Sequence, residues 1–384
     1  MTTAYMKQIS FVLLASASLC FAQGSQPIPT QNRSDQHASA SREQSTNPSS
    51  FVEPHYLLCP NPDVNDYRSV VNAEGTEVVF ERNPVSHPNN VQLYVLDLST
   101  NDVYALTNNF PSTRPDWCWN RSGGGFTSGP IAFSNNDGIY RVDASPTPSP
   151  SVLPSFVPGT AGMVYPSWYP DCQHLAVDVG GTHVTAEIDA FTGQVVVPRL
   201  ANDLVWAGFP SVNQVNPNLV AFAGQWIGDS SYYNQDLNYV WVTERTPGRP
   251  RVAPLDRRAP RGGGFLQKFQ ARAGWWSPDG NWFVFESNRT CDNIGGATYA
   301  LFIQDARGLR PPMQVTDCSL NVQHAKWFPP RQDGRVLLIA AVQANTMGPY
   351  RLATFDVTAF VSGAGPSNAS NLGQAPIATP SCTP

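Results

Sequence analysis

The sequence predicts an all-β chain, and three observations predict it. Only 14% of its 384 residues are charged, against roughly 25% in an average soluble domain, too few to clothe the solvent faces of long helices. Its apolar residues fall in short runs rich in Val, Ile, Phe, Tyr and Trp, bounded by Asp, Asn, Gly and Pro, the pattern of short strands closed by turns. A unit of such strands then recurs along the chain, the mark of a repeat architecture. With 29 Gly and 35 Pro the chain stays below low-complexity composition, and its 41% apolar residues include ten tryptophans that can fill a core.

The unit is clearest where Trp275-Trp276-Ser277-Pro278-Asp279-Gly280 is followed by WFVFES (282–287), ALFIQDARG (300–308) and MQVT (313–316). Asp-Gly suits a tight hairpin between the first two strands, a longer loop separates the second from the third, and Ala-Arg-Gly turns into the outer strand. The same order follows Tyr67-Arg68-Ser69-Val70, with TEVVFER (76–82), QLYVLDLST (92–100) and VYALT (103–107). It follows Arg114-Pro115-Asp116-Trp117, with PIAFS (130–134) and GIYRVD (138–143), and Tyr165-Pro166-Ser167-Trp168, with three strands within 174–198. Phe209-Pro210-Ser211-Val212 leads into NLVAFAG (218–224) and YVWVTER (239–245), and His324-Ala325-Lys326-Trp327 into RVLLIAAVQ (335–343) and YRLATFDVTA (350–359). The anchors Val70, Trp117, Trp168, Val212, Trp276 and Trp327 are 47, 51, 44, 64 and 51 residues apart, which are blade lengths.

The last unit has only three strands, and His55–Cys59 can pair with Tyr350–Thr358 as the missing outer one. Such a closure removes exposed sheet edges. The prediction is a single six-bladed β-propeller of four-stranded antiparallel blades over 54–362. Seven blades is the alternative, because the 64-residue spacing from Val212 to Trp276 has room for another.

The WSPDG hairpin at 276–280, the strand ending Ser287-Asn288-Arg289 and the strand ending Asp305-Ala306-Arg307-Gly308 resemble the TolB-type WD-like propeller repeat. The resemblance is most specific over 272–316 and loosest in the units opening at Tyr165 and Phe209. That family holds partner-binding periplasmic proteins, propeller domains attached to peptidases, and oligogalacturonate lyases, so it implies a fold and no single activity.

Lys7, the apolar run Ile9–Leu19 and Cys20-Phe21-Ala22 read as a signal peptide over 1–22. The run is too short to span a bilayer, which takes about 20 residues, and Leu19 stands where a lipoprotein anchor at Cys20 would want a small residue. Residues 23–53 read as a disordered polar linker and 363–384 as a flexible tail. The expected location is secreted and extracellular, or periplasmic in a bacterium, without a membrane span. Six cysteines then remain, and an oxidising compartment favours pairing them. Cys291, in the second-to-third loop of its blade, and Cys318, just after the outer strand, emerge on one face and form the first expected disulfide. Cys59 with Cys382 and Cys118 with Cys172 complete one of the 15 pairings that six cysteines allow. Asn32, Asn120, Asn288 and Asn368 open glycosylation sequons, and a glycan at Asn288 would crowd the mouth of the channel.

Three residues before each anchor, near that mouth, stand Tyr67, Arg114, Tyr165, Phe209, Ala273 and His324. Unlike side chains at equivalent positions of a symmetric scaffold point to a ligand contacted by Arg114, Tyr165 and His324, with Tyr67 and Phe209 beside them and His87 and Trp226 flanking. The bland alternative is that the aromatics only plug the channel. In the stretch 249–272, seven cations face Asp256 alone, leaving +6 in a chain of net charge −5; Arg257, Arg258 and Arg261 would guide anionic groups. The expectation is a secreted binding module for a glycan, acidic by this charge, or for an extracellular protein. The alternative is a polysaccharide lyase or glycosidase acting on uronate-containing carbohydrate. The acidic total and the signal peptide argue against nucleic acid. No Gly-x-Ser-x-Gly, His-Glu-x-x-His or P-loop is present. The lyases of the resembled family hold a metal with several histidines and a glutamine. Gln323-His324 is of that kind, but the other mouth positions are Tyr, Arg, Phe and Ala, so no catalytic residue, metal or cofactor is assigned.

Overall fold

The computed structural model describes residues 51–108, 111–122, 125–142, 153–180, 184–200, 204–226, 239–245, 253–254, 270–291, 298–307, 310–344, 348–361, 377, 380 and 382. All fall within one compact unit, Ser45–Pro384. The signal segment 1–22, the linker up to residue 50, most of the tail, the sequons at Asn32 and Asn368, and Arg257, Arg258 and Arg261 lie outside the described residues.

A two-residue strand, β1 (His55–Tyr56), precedes the first blade, which is β2 (Val64–Val71), β3 (Glu77–Pro84), β4 (Gln92–Asp97) and β5 (Val103–Ala105). The second is β6 (Thr113–Ser122), β7 (Gly125–Asn135), β8 (Gly138–Val142) and β9 (Ser155–Phe156); the third is β10 (Met163–Trp168), β11 (His174–Val179), β12 (Val184–Asp189) and β13 (Val195–Val197). The fourth is β14 (Leu204–Val212), β15 (Leu219–Trp226), β16 (Tyr239–Glu244) and β17 (Ala253–Pro254); the fifth is β18 (Ala271–Trp276), β19 (Trp282–Ser287), β20 (Ala300–Asp305) and β21 (Met313–Gln314). The sixth, β22 (Leu320–Trp327), β23 (Leu337–Ala344) and β24 (Arg351–Asp356), takes β1 as its outer strand, His55 opposite Thr354 and Tyr56 opposite Ala353. One helical turn, α1 (Thr358–Val361), follows. The chain is thus a six-bladed propeller closed by strands from both ends.

The long spacing before Trp276 hides no seventh blade, because the fourth and fifth pack directly on each other. Ala221, Val240, Trp276 and Phe283 share one core, and the Trp276 indole donates to Ser211 O at 3.1 Å. Trp168 donates likewise to Asp116 O (3.2 Å) and Trp327 to Trp275 O (2.9 Å), each in the preceding blade. Second and third strands lie between two neighbouring blades and are buried on both faces, as in ALFIQD of β20. The most buried of them, β20 and β23, therefore carry continuous apolar runs rather than alternating ones. The hairpin of the WSPDG unit turns on Gly280, whose φ of 71° suits a residue without Cβ.

Three disulfides are present, Cys59–Cys382 at the closure, Cys118–Cys172 between the second and third blades and Cys291–Cys318 within the loops of the fifth, with Cα separations of 5.4, 5.7 and 5.4 Å. Among the described residues no helix is long and apolar enough to cross a membrane. Cys291–Cys318 closes a 27-residue separation, which by loop entropy constrains the unfolded chain by about 3.5 kcal/mol. The double variant Cys291→Ser/Cys318→Ser should lose stability of that order in urea unfolding under oxidising conditions, and an unchanged midpoint would show the bridge to be without effect.

Candidate ligand site at the channel mouth

Each inner strand breaks register with its neighbour at an equivalent bulge, and one non-glycine residue there has left-handed backbone: Arg68 (φ 36°), Arg114 (57°), Tyr165 (54°), Phe209 (53°), Ala273 (49°) and His324 (54°). Bulges re-aim side chains, and these six residues line a cavity of about 50 Å³. That is room for a few waters or one small ligand group. Five of the six are the positions predicted from sequence. In the first blade the equivalent residue is Arg68 rather than Tyr67, and the anchor is Val71. Both valines are buried, Val70 against Trp117 and Val71 against Phe328, so apolar character alone could not fix the phase.

The walls are stacked. The Arg114 guanidinium lies 3.9 Å over the Tyr165 ring, Tyr165 meets Phe209 at 4.3 Å, and Phe209 stacks near His324 at 6.2 Å. Tyr67 abuts His324 edge-on (4.9 Å) and Tyr350 (4.8 Å), and donates its hydroxyl to Gln323. Lys326 and Trp275 also line the cavity. The Lys326 ammonium sits 3.9 Å over the Trp275 ring and bonds Pro115 O (3.2 Å) and Asp116 Oδ1 (3.1 Å), joining the sixth blade to the second.

On the second strand, opposite each bulge, stand Glu81, Ser134, Asp178, Ala223, Glu286 and Ala341. Three of them accept the left-handed amide of the next blade: Arg114 N to Glu81 (2.5 Å), Tyr165 N to Ser134 (3.0 Å) and His324 N to Glu286 (2.6 Å). The two glutamates also hold arginines, Arg68 on Glu81 (2.9 Å) and Arg272 on Glu286 (2.7 Å). Asp178, one methylene shorter, accepts no side-chain hydrogen bond among the described residues. It is 8% exposed, and burial pushes its carboxyl up to about 7 against the opposing pull of Arg114.

The cations of the mouth therefore differ in what they hold. Arg68, Arg272 and Lys326 each have a carboxylate. Arg114 has none among the described residues, and its Nε is buried without a partner. Burial, reinforced by Arg68, Arg272, Lys326 and Arg114, holds His324 well below the ordinary histidine range, so its imidazole is neutral at pH 7. Its ring nitrogens have no hydrogen bond among the described residues.

His87 is exposed in the β3–β4 loop, bonded to Ser86, and is outside the cavity lining. Trp226 ends β15, with its side chain outside what is described. Sequence reasoning missed Arg68, Lys326 and Asp178. Lys326 was visible only as a charged residue beside an anchor tryptophan, and Asp178 as a charge inside an apolar strand.

No protein-family model matches the chain, and no curated protein does. Among solved structures it is similar to a TolB-type protein from Agrobacterium tumefaciens, at 13% identity over 68% of this chain and 83% of that one, TM-score 0.49. It is also similar to an oligogalacturonate lyase in complex with manganese (14%, 79% and 96%, TM-score 0.45). A third is TolB from Acinetobacter baumannii (16%, 77% and 65%, TM-score 0.41). Such distant likenesses bear on nothing beyond the fold, which the six sheets establish by themselves. Among the described residues no three His, Cys, Asp or Glu side chains group to hold a metal ion.

Asp178 carries a pH signature. Its carboxyl moves from 3.8 to about 7 on folding, so the folded chain holds the extra proton. Stability from this group is undiminished below 3.8 and falls as pH rises toward 7. Asp178→Asn should therefore gain on the wild type at pH 8, by roughly 2–4 kcal/mol, with the gain gone near pH 3.5. Urea titrations at both pH values measure this; an equal difference at the two would contradict it.

Proposed function

We propose that the protein is a secreted propeller binding module that takes a carboxylate-bearing glycan at the channel mouth. One observation carries this reading: Arg114, alone among the mouth cations described, lines the cavity without a carboxylate of its own. A guanidinium in that state suits a carboxylate ligand, while the Tyr165 and Phe209 rings offer an apolar face for a sugar. The small cavity accommodates the acidic group, and the rest of the glycan would lie across the face. Arg257, Arg258 and Arg261 would draw anionic groups toward it. Three disulfides support an oxidising compartment.

A lyase or glycosidase acting on uronate-containing carbohydrate is the second reading. It is favoured by the neutral imidazole of His324 at the cavity wall, a group able to accept a proton. A screen of the purified protein against acidic and neutral glycans, reading both binding and unsaturated products, separates the two. Binding of acidic glycans without turnover is expected, weakened at least about tenfold by Arg114→Ala, a loss of about 1.4 kcal/mol. Equal binding of neutral glycans, or indifference to Arg114→Ala, would overturn the assignment.

A further inference from the structure

Arg114, which lines the mouth, and Asp178, behind it on the second strand of the third blade, lack a hydrogen-bonded counter-charge among the described residues, and they interact across one blade boundary. Arg114, from β6, lies on the Tyr165 ring of β10. Asp178, on β11, is directly across the strand pair from Val164, the neighbour of Tyr165. Where glutamate fills the position of Asp178, in the first and fifth blades, the carboxylate is fixed by an arginine and by the next blade's amide. In the third blade Asp178 makes neither bond among the described residues.

Among the described residues, one charged group acts on Asp178, Arg114. Of the strands packed against β11, β10 places Val164 and β12 places Thr185 opposite Asp178, and β14 packs alongside. The next carboxylate along β12, Glu187, is already held by Arg245. Burial outweighs Arg114, so the Asp178 carboxyl is poised near neutrality, at about 7.

We propose that Arg114 and Asp178 make the mouth a proton-coupled site for a carboxylate group, the ligand taking Arg114 while Asp178 takes up one proton. The proposal rests on the reading of the mouth as a carboxylate site and adds its regulation. One guanidinium in a partly buried place cannot neutralise two carboxylates. A ligand anion at Arg114 adds a like charge beside Asp178 and withdraws the cation that favours its ionised form, and both effects raise its pKa. The balance is ionised Asp178 plus ligand carboxylate plus one proton from solvent, giving protonated Asp178 in the complex. Affinity is therefore highest below the pKa of free Asp178 and falls as pH rises through it, by up to about tenfold per pH unit. The mouth would hold its ligand in acid surroundings and release it in alkaline ones.

The test uses the whole protein and a glucuronate-containing tetrasaccharide as probe. Calorimetry at pH 5.5, 7 and 8.5 is combined with carbon-13 carboxyl NMR of Asp178, free and bound. The expected result is a free Asp178 titrating near 7, moving upward with ligand, and an affinity at least about tenfold weaker at pH 8.5 than at 5.5. Asp178→Asn should flatten that profile. A probe that binds with pH-independent affinity, or an Asp178 that titrates near 4, overturns the coupling and leaves the ligand assignment standing. A tetrasaccharide that binds at no pH while Asp178 titrates near 7 overturns the carboxylate ligand, and the coupling with it.

Discussion

The mouth depends on one backbone constraint: six non-glycine residues, one per inner strand, held in left-handed conformation. Each costs roughly 1–2 kcal/mol in an L-residue, and the strain persists because neighbouring structure over-determines it. Glu81, Ser134 and Glu286 supply part of that hold by accepting the amide of the next blade's left-handed residue. The bulge of one blade is thus fixed by the docking of another. Ring closure through β1 and the Cys59–Cys382 bridge is consequently a condition for the shape of the mouth as well as for the sheet edges.

The same repeat position does two jobs. Where it is Glu81 or Glu286, the carboxylate neutralises an arginine and caps an amide, and the group becomes scaffold. Lys326 and Asp116 are likewise consumed by each other and by the Trp275 ring, pinning the sixth blade to the second. Breaking such a buried pair is costly because it strands a charge. Against that background of satisfied groups, Arg114 and Asp178 stand out by what they lack. A site on a symmetric fold is found where equivalent positions stop behaving alike.

Much of the fold was legible because its local signals agree. Trp168, Trp276 and Trp327 mark inner strands, Pro278-Asp279-Gly280 marks a hairpin, and each packs or turns as such. The pairing of Cys291 with Cys318 was legible once the loops carrying them were assigned to one face. The phase of the first blade was not, since Val70 and Val71 are both buried and only the strand register and the backbone angle of Arg68 distinguish them. The Lys326–Asp116 pair joins residues 210 apart, and no periodicity announces it. Nor could the isolation of Asp178 be read from His174–Val179, an apolar run with one charge in it; it emerges only when its counterparts Glu81 and Glu286 are seen to be occupied.

The most direct test of the mouth as a carboxylate site is a crystal structure of the protein with the tetrasaccharide bound. The expected complex has the uronate carboxylate bonded to the Arg114 guanidinium, a sugar ring on Tyr165 or Phe209, and the six left-handed residues unchanged. A tetrasaccharide seated on the outer strands, or an Arg114 turned onto a protein carboxylate with the cavity filled by side chains, would contradict it.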